Sequence, residues 1–129
     1  MTAMAAVVYL VQDLVFTSKI REAATRARVA VTSARDPEAL LMAAPRARLV
    51  IVDLRLPSAL RALELLAADP VAAGVPSVGF VDHERTDVME AARVRGCKQV
   101  LAKGQLASAL PGLLQPLKQA AEGAPRGSS

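Results

Sequence analysis

The feature that most constrains this chain is the run Arg48-Leu49-Val50-Ile51-Val52-Asp53, four consecutive branched apolar residues ending on a carboxylate. A continuous apolar run of this length predicts a central strand buried on both faces of a parallel sheet. Around it, apolar stretches of strand length alternate with stretches of helical period, the pattern of βα units.

Ala6 to Val11 reads as the first strand, closed by Gln12-Asp13. Phe16, Ile20, Ala23, Ala24 and Ala27 then recur at helical spacing, with Lys19, Arg21, Glu22 and Arg26 on the other face. Val29 to Ser33 is a weaker second strand. Asp36-Pro37-Glu38 carries an N-cap followed by proline at the first helical position, which opens a short helix to Ala44. Beyond Asp53, a loop leads to Ser58, a candidate cap for a helix carrying Leu60, Leu63 and Leu66 and ended by Asp69-Pro70. Pro76 to Val81 is the fourth strand, followed by polar Asp82-His83-Glu84-Arg85 and a helix ending at Gly96. Gln99 to Ala102 is the fifth, ending at Lys103-Gly104, and Leu106, Leu110, Leu113, Leu114 and Leu117 mark a last helix. Pro111 fits its first turn, whereas Pro116 removes an internal hydrogen bond and predicts a kink. The expected fold is (βα)5: a doubly wound, five-stranded parallel sheet in order 2-1-3-4-5, flavodoxin-like. One domain spans residues 1–121, and 122–129 reads as a disordered tail.

At 129 residues the chain has room for one core. Hydrophobic residues make up 53%, yet no apolar run approaches the roughly 18–20 residues of a membrane span. No basic segment precedes an apolar stretch at the N-terminus, which argues against a secretory signal. A lone Cys97 suits a reducing cytoplasm and reads as a small buried apolar residue. The net charge of +4 raises the question of nucleic acid, but the arginines are scattered, and aromatics at 2% offer few platforms for base stacking. A basic nucleic-acid-binding module is therefore the remote alternative.

In an open α/β sheet, ligands bind beyond the carboxyl ends of the strands, where strand order reverses. In order 2-1-3-4-5 this point lies between strands one and three, which end in Asp13 and Asp53. The fifth strand brings Lys103 to the same edge. Two adjacent carboxylates suit a hard divalent cation such as Mg2+, which keeps several of its waters. One carboxylate is then placed to attack a phosphoryl donor while metal and lysine stabilise the transferred charge. There is no glycine-rich phosphate loop, so no nucleotide or flavin is expected. A small metal-dependent hydrolase with Asp53 as nucleophile would need a further base, and none is visible. His83, the only histidine, reads as a solvated loop residue.

Asp13 after the first strand, the run Val52-Asp53-Leu54-Arg55-Leu56-Pro57, and Lys103 after the fifth strand resemble bacterial response-regulator receiver domains. The Gly96–Lys103 segment, where a receiver usually reads Gly-Ala-x-x-Tyr-x-x-Lys, adds to the resemblance, which covers roughly residues 5 to 121. The resemblance implies that Asp53 is the phospho-acceptor, Asp13 the direct metal ligand and Lys103 the phosphate-contacting lysine. It also implies the backbone carbonyl of Arg55 as a third Mg2+ ligand, with Gln12 acting through a metal-bound water in place of the usual acid. The departures are Val81 for a Ser or Thr, Asp82 for a small residue, Val100 for an aromatic, and Gly104 for a proline. Two further readings stay open at this point: Lys103 pairing with Asp53 as a structural salt bridge, or the Arg55 side chain folding onto the carboxylates in place of a metal. Taken together, these features predict a stand-alone receiver-like domain of two-component signalling, cytoplasmic, atypical, with weak or absent phosphorylation and weakly held Mg2+. Its partner would be a histidine kinase or a downstream effector, with homodimerisation through the last helix region as a second contact. The alternative is a normal Mg2+-dependent phospho-accepting regulator.

Overall fold

The computed structural model describes residues 5–123. Five strands, β1 (Val7–Leu10), β2 (Val31–Ser33), β3 (Leu49–Asp53), β4 (Ser77–Val81) and β5 (Gln99–Ala102), form one sheet in the order β2-β1-β3-β4-β5. All four pairings are parallel, as short strands joined by helical crossovers require. The helices are α1 (Leu14–Ala27), α2 (Pro37–Ala43), α3 (Ala59–Ala68), α4 (Thr86–Val94) and α5 (Lys103–Gly123). The expected architecture and strand order are both present.

The strands divide the apolar residues by parity. Leu49 and Ile51 of β3 join Val7, Tyr9, Val78 and Phe80 in the layer covered by α1 and α5, where Ile20, Leu106, Leu110 and Leu114 close the packing. Val50 and Val52 face the other way, into the layer under α2, α3 and α4, with Leu40, Leu63, Leu66 and Ala92. Each fully buried leucine or isoleucine contributes about 1.5–3 kcal/mol relative to exposure. Losing either helical layer would therefore leave β3 as an apolar strand in water.

Local chemistry sets where the elements begin. Asp36 Oδ1 accepts from the Ala39 N–H at 2.8 Å with Pro37 next to it, the N-cap expected for α2. Ser58 occupies the N-cap position of α3, but its side chain makes no capping bond. β2 is three residues long, shorter than its sequence run: the Val29 N–H still bonds the Ala24 carbonyl at the exit from α1, and the Ala30 carbonyl only leads in, accepting from Ala6 and Val7. The Ala102 N–H donates to Gln105 Oε1 at 2.9 Å, half of a capping box that starts α5 directly at the end of β5. The α5 helix carries both Pro111 and Pro116 within its span and reaches Gly123, two residues into the expected tail; residues 124–129 lie outside the described residues. No helix among the described residues is long and apolar enough to cross a membrane.

Candidate functional site

Strand order reverses between β1 and β3, and the chain brings Asp13 and Asp53 to that edge. Asp53 follows Ile51 in the strand alternation and is 2% exposed, the most deeply buried carboxylate among the described residues. Asp13 is the N-cap of α1: its Oδ1 accepts from the Val15 N–H at 2.8 Å and the Phe16 N–H at 3.3 Å. The Phe16 bond leads the effects that hold this carboxyl below the usual value of 3.8, with the Val15 bond and Arg55 adding to it against partial desolvation.

The Arg55 side chain fills the space between the two carboxylates. Its Nε lies 2.9 Å from Asp53 Oδ1, and its Nη2 lies 2.9 Å from Asp53 Oδ2 and 3.2 Å from Asp13 Oδ2. The Arg55 backbone N–H adds a bond to Asp53 Oδ1 at 3.0 Å. This is a bidentate guanidinium–carboxylate pair extended to a second acid. Hydrogen bonding to Asp53 drives the guanidinium further above its already high pKa, against the desolvation that opposes it. The guanidinium carbon also lies 5.2 Å from the Phe16 ring centroid and 5.6 Å from that of Phe80, within cation–π range. The two rings are themselves in contact, with centroids 4.9 Å apart and tilted by 39°.

Leu54 sets the path of this loop. It is buried against β4, where a Cβ at Gly79 would lie 2.7 Å from Leu54 Cδ1. Gly79 thus leaves room for Leu54 on one side of the sheet, and the next residue, Arg55, returns to the carboxylates. The sequence reading assigned Arg55 only a backbone carbonyl in its main form; the structure places the side chain in the pocket, as the open alternative had it.

Lys103 is not among the partners of Asp53. Its Nζ lies 3.1 Å from Asp82 Oδ1, with both side chains roughly half exposed. That oxygen accepts no well-aligned hydrogen bond among the described residues, so the contact is a pairing of charges. A salt bridge between Lys103 and Asp53 is thus replaced by one between Lys103 and Asp82. Strand register explains the exchange: Val81 pairs with Ala102, which makes Asp82 and Lys103 neighbours one step beyond. Gln12 is exposed beside Asp13. Val81 is buried in the α2–α4 layer, Val100 packs half-buried against the same layer, and Gly104 lies in the first turn of α5. His83 is exposed in its loop.

Divalent cations need free carboxylate oxygens, and here those oxygens are engaged. Asp13 uses one for the helix cap and one for Arg55, and both oxygens of Asp53 are taken. No group of three or more His, Cys, Asp or Glu among the described residues is arranged to hold a metal. As folded, the donor set does not fit Mg2+. A phosphoryl donor meets a similar obstacle: the site presents three carboxylates against two cations, and its nucleophile is buried under Arg55.

No family model matches the chain, and no curated protein matches it in sequence. Solved structures do match. The receiver domain of a sensor histidine kinase from Pseudomonas aeruginosa PAO1, with magnesium coordinated in its active-site cleft, is 21% identical with a TM-score of 0.73, covering 90% of this chain and 98% of that one. A response-regulator receiver domain from Rhodospirillum rubrum is 21% identical with a TM-score of 0.68, covering 86% and 92%. The chemotaxis response regulator CheY4 of Vibrio cholerae is 18% identical with a TM-score of 0.72, covering 89% and 99%. With strand order, helices and both acidic positions in place, this chain has the fold of the response-regulator receiver domain.

Proposed function

We propose that this chain is a receiver-fold signalling domain that works by docking a partner protein in the cytoplasm, with its acidic pocket held closed by Arg55 and without phosphorylation at Asp53. The observation that carries this reading is the guanidinium bonded to both oxygens of Asp53 and to Asp13. Arg55 supplies the positive charge that a metal would otherwise supply, so the fold is complete without one. Val81 and Val100 support the same reading, because neither offers a hydroxyl or an aromatic ring to report a phosphoryl group. The partner is a histidine kinase or a downstream effector, and the chain acts by binding and not by turnover. Normal Mg2+-dependent phosphorylation would require Arg55 to leave the pocket and Lys103 to leave Asp82.

The test is incubation with Mg2+ and acetyl phosphate, followed by intact mass. The expected result is an unmodified chain. A stoichiometric phosphoryl adduct that disappears in Asp53→Asn would overturn the proposal.

A further inference from the structure

The walls around Arg55 say which cations this pocket prefers. Two carboxylates lie around the guanidinium, and two phenyl rings stand within cation–π distance of it. Phe16 reaches the site because Asp13 caps the first turn of α1 and bonds the Phe16 N–H, while Phe80 is the register partner of Asp53 on the adjacent strand. The pairing of acid with aromatic is therefore built into the helix cap and the sheet.

Guanidinium is planar, weakly hydrated and forked, so it can meet a carboxylate edge-on and an aromatic ring with the same group. Hydrated Mg2+ has the opposite needs, because it keeps several waters that must be hydrogen-bonded. Phenyl rings accept such bonds poorly, so the aromatic side of the pocket gives that shell little support. A compact ammonium gains from the charge but cannot bridge both oxygens of Asp53 in one plane.

We infer that Asp13, Asp53, Phe16 and Phe80 form a guanidinium-selective binding site, filled in the resting chain by Arg55 and able to take an arginine-type cation in its place. This rests on the closed-pocket reading, since it supposes that Arg55 is the occupant. Phe16 acts as a positioning residue: its ring does not bond the acids but favours a flat cation over a hydrated one.

The test empties the pocket and offers it small cations. Arg55→Ala is titrated with methylguanidinium, methylammonium and Mg2+ at constant ionic strength, and the thermal midpoint is read. Methylguanidinium is expected to raise the midpoint by about 3–6 °C at roughly ten times its dissociation constant, with little response to the other two. Adding Phe16→Leu is expected to weaken that response at least several-fold. The inference is overturned if Mg2+ stabilises Arg55→Ala as strongly as methylguanidinium, if the wild-type chain responds equally, or if Phe16→Leu leaves the affinity unchanged. Arg55→Ser, whose short hydroxyl offers Asp53 a neutral donor and leaves the space open, provides the same titration should the alanine variant fail to fold. Phosphorylation of the wild-type chain would sink the closed-pocket reading while leaving guanidinium rescue intact. Absence of rescue without any adduct would sink the site inference alone.

Discussion

Replacing Arg55 by alanine tests the centre of the site, and its cost can be worked from the geometry. Asp53 is 2% exposed and would lose the bonds from Nε and Nη2, both at 2.9 Å. It would keep the backbone N–H of position 55 at 3.0 Å. Removing one partner of a fully buried ion pair costs about 3–5 kcal/mol, because the remaining charge is left uncompensated. Two features reduce that figure here: the surviving backbone bond, and the 26% exposure of the Arg55 side chain, which would let water reach the vacated space. The expected loss is about 2–3 kcal/mol, seen in urea as a lower midpoint with an unchanged slope. A double-mutant cycle with Asp53→Asn isolates the pair, and a coupling of about 1.5 kcal/mol or more is expected. A loss below about 0.5 kcal/mol with negligible coupling would place this contact among ordinary exposed ion pairs and refute the reasoning.

Other positions give independent checks. Because the Asp13 carboxyl is held below the usual 3.8, its contribution to stability is present above that value and is lost as pH falls through the lower folded value. Urea midpoints taken from about pH 5 down to about pH 2 should therefore converge between wild type and Asp13→Asn, whereas parallel curves would contradict the assignment. Gly79→Ala should cost about 1–3 kcal/mol, since its new Cβ would meet the buried Leu54 side chain at 2.7 Å; an unchanged urea midpoint would remove Leu54 as the guide of the loop. The Cys97 thiol is pushed up chiefly by burial, so labelling by a thiol reagent at neutral pH should await unfolding, and rapid labelling of the folded chain would contradict that burial.

Much of this fold can be read from the chain because its strands are apolar on both faces and its helices carry one-sided stripes. The run ending at Asp53 identifies the central strand, and the strand-reversal rule then brings Asp13 beside it. Boundaries are less legible where propensity is weak. β2 shortens because the Val29 N–H is still held by Ala24 in the turn out of α1, while the Ala30 carbonyl accepts from Ala6 and Val7 at the start of β1; Ser58 looks like a cap without acting as one. Within the site, the end of the fifth strand places Lys103 at the same edge as Asp53, as a phosphate contact or a salt-bridge partner. Register decides otherwise, since parallel pairing of β4 with β5 makes Asp82 its neighbour. A comparable signal existed for the aromatic wall: Phe16 stands three residues into the helix that Asp13 caps, and Phe80 lies opposite Asp53. Neither residue advertises a role without the strand partners, because a phenylalanine in a core layer looks the same as one that also faces a cation.

The two oxygens of Asp13 have separate duties, one to the first turn of α1 and one to Arg55. A carboxylate that turns to face a new occupant must give up acceptor geometry at one of these contacts. The Val15 and Phe16 amides share a carboxylate with Arg55, so their exchange with solvent is expected to change with the occupant of the pocket. A partner seated at the mouth, where Leu14 is 80% exposed, would touch the same turn of helix. The end of α1 is where a change inside the acidic cleft would become visible to anything outside it.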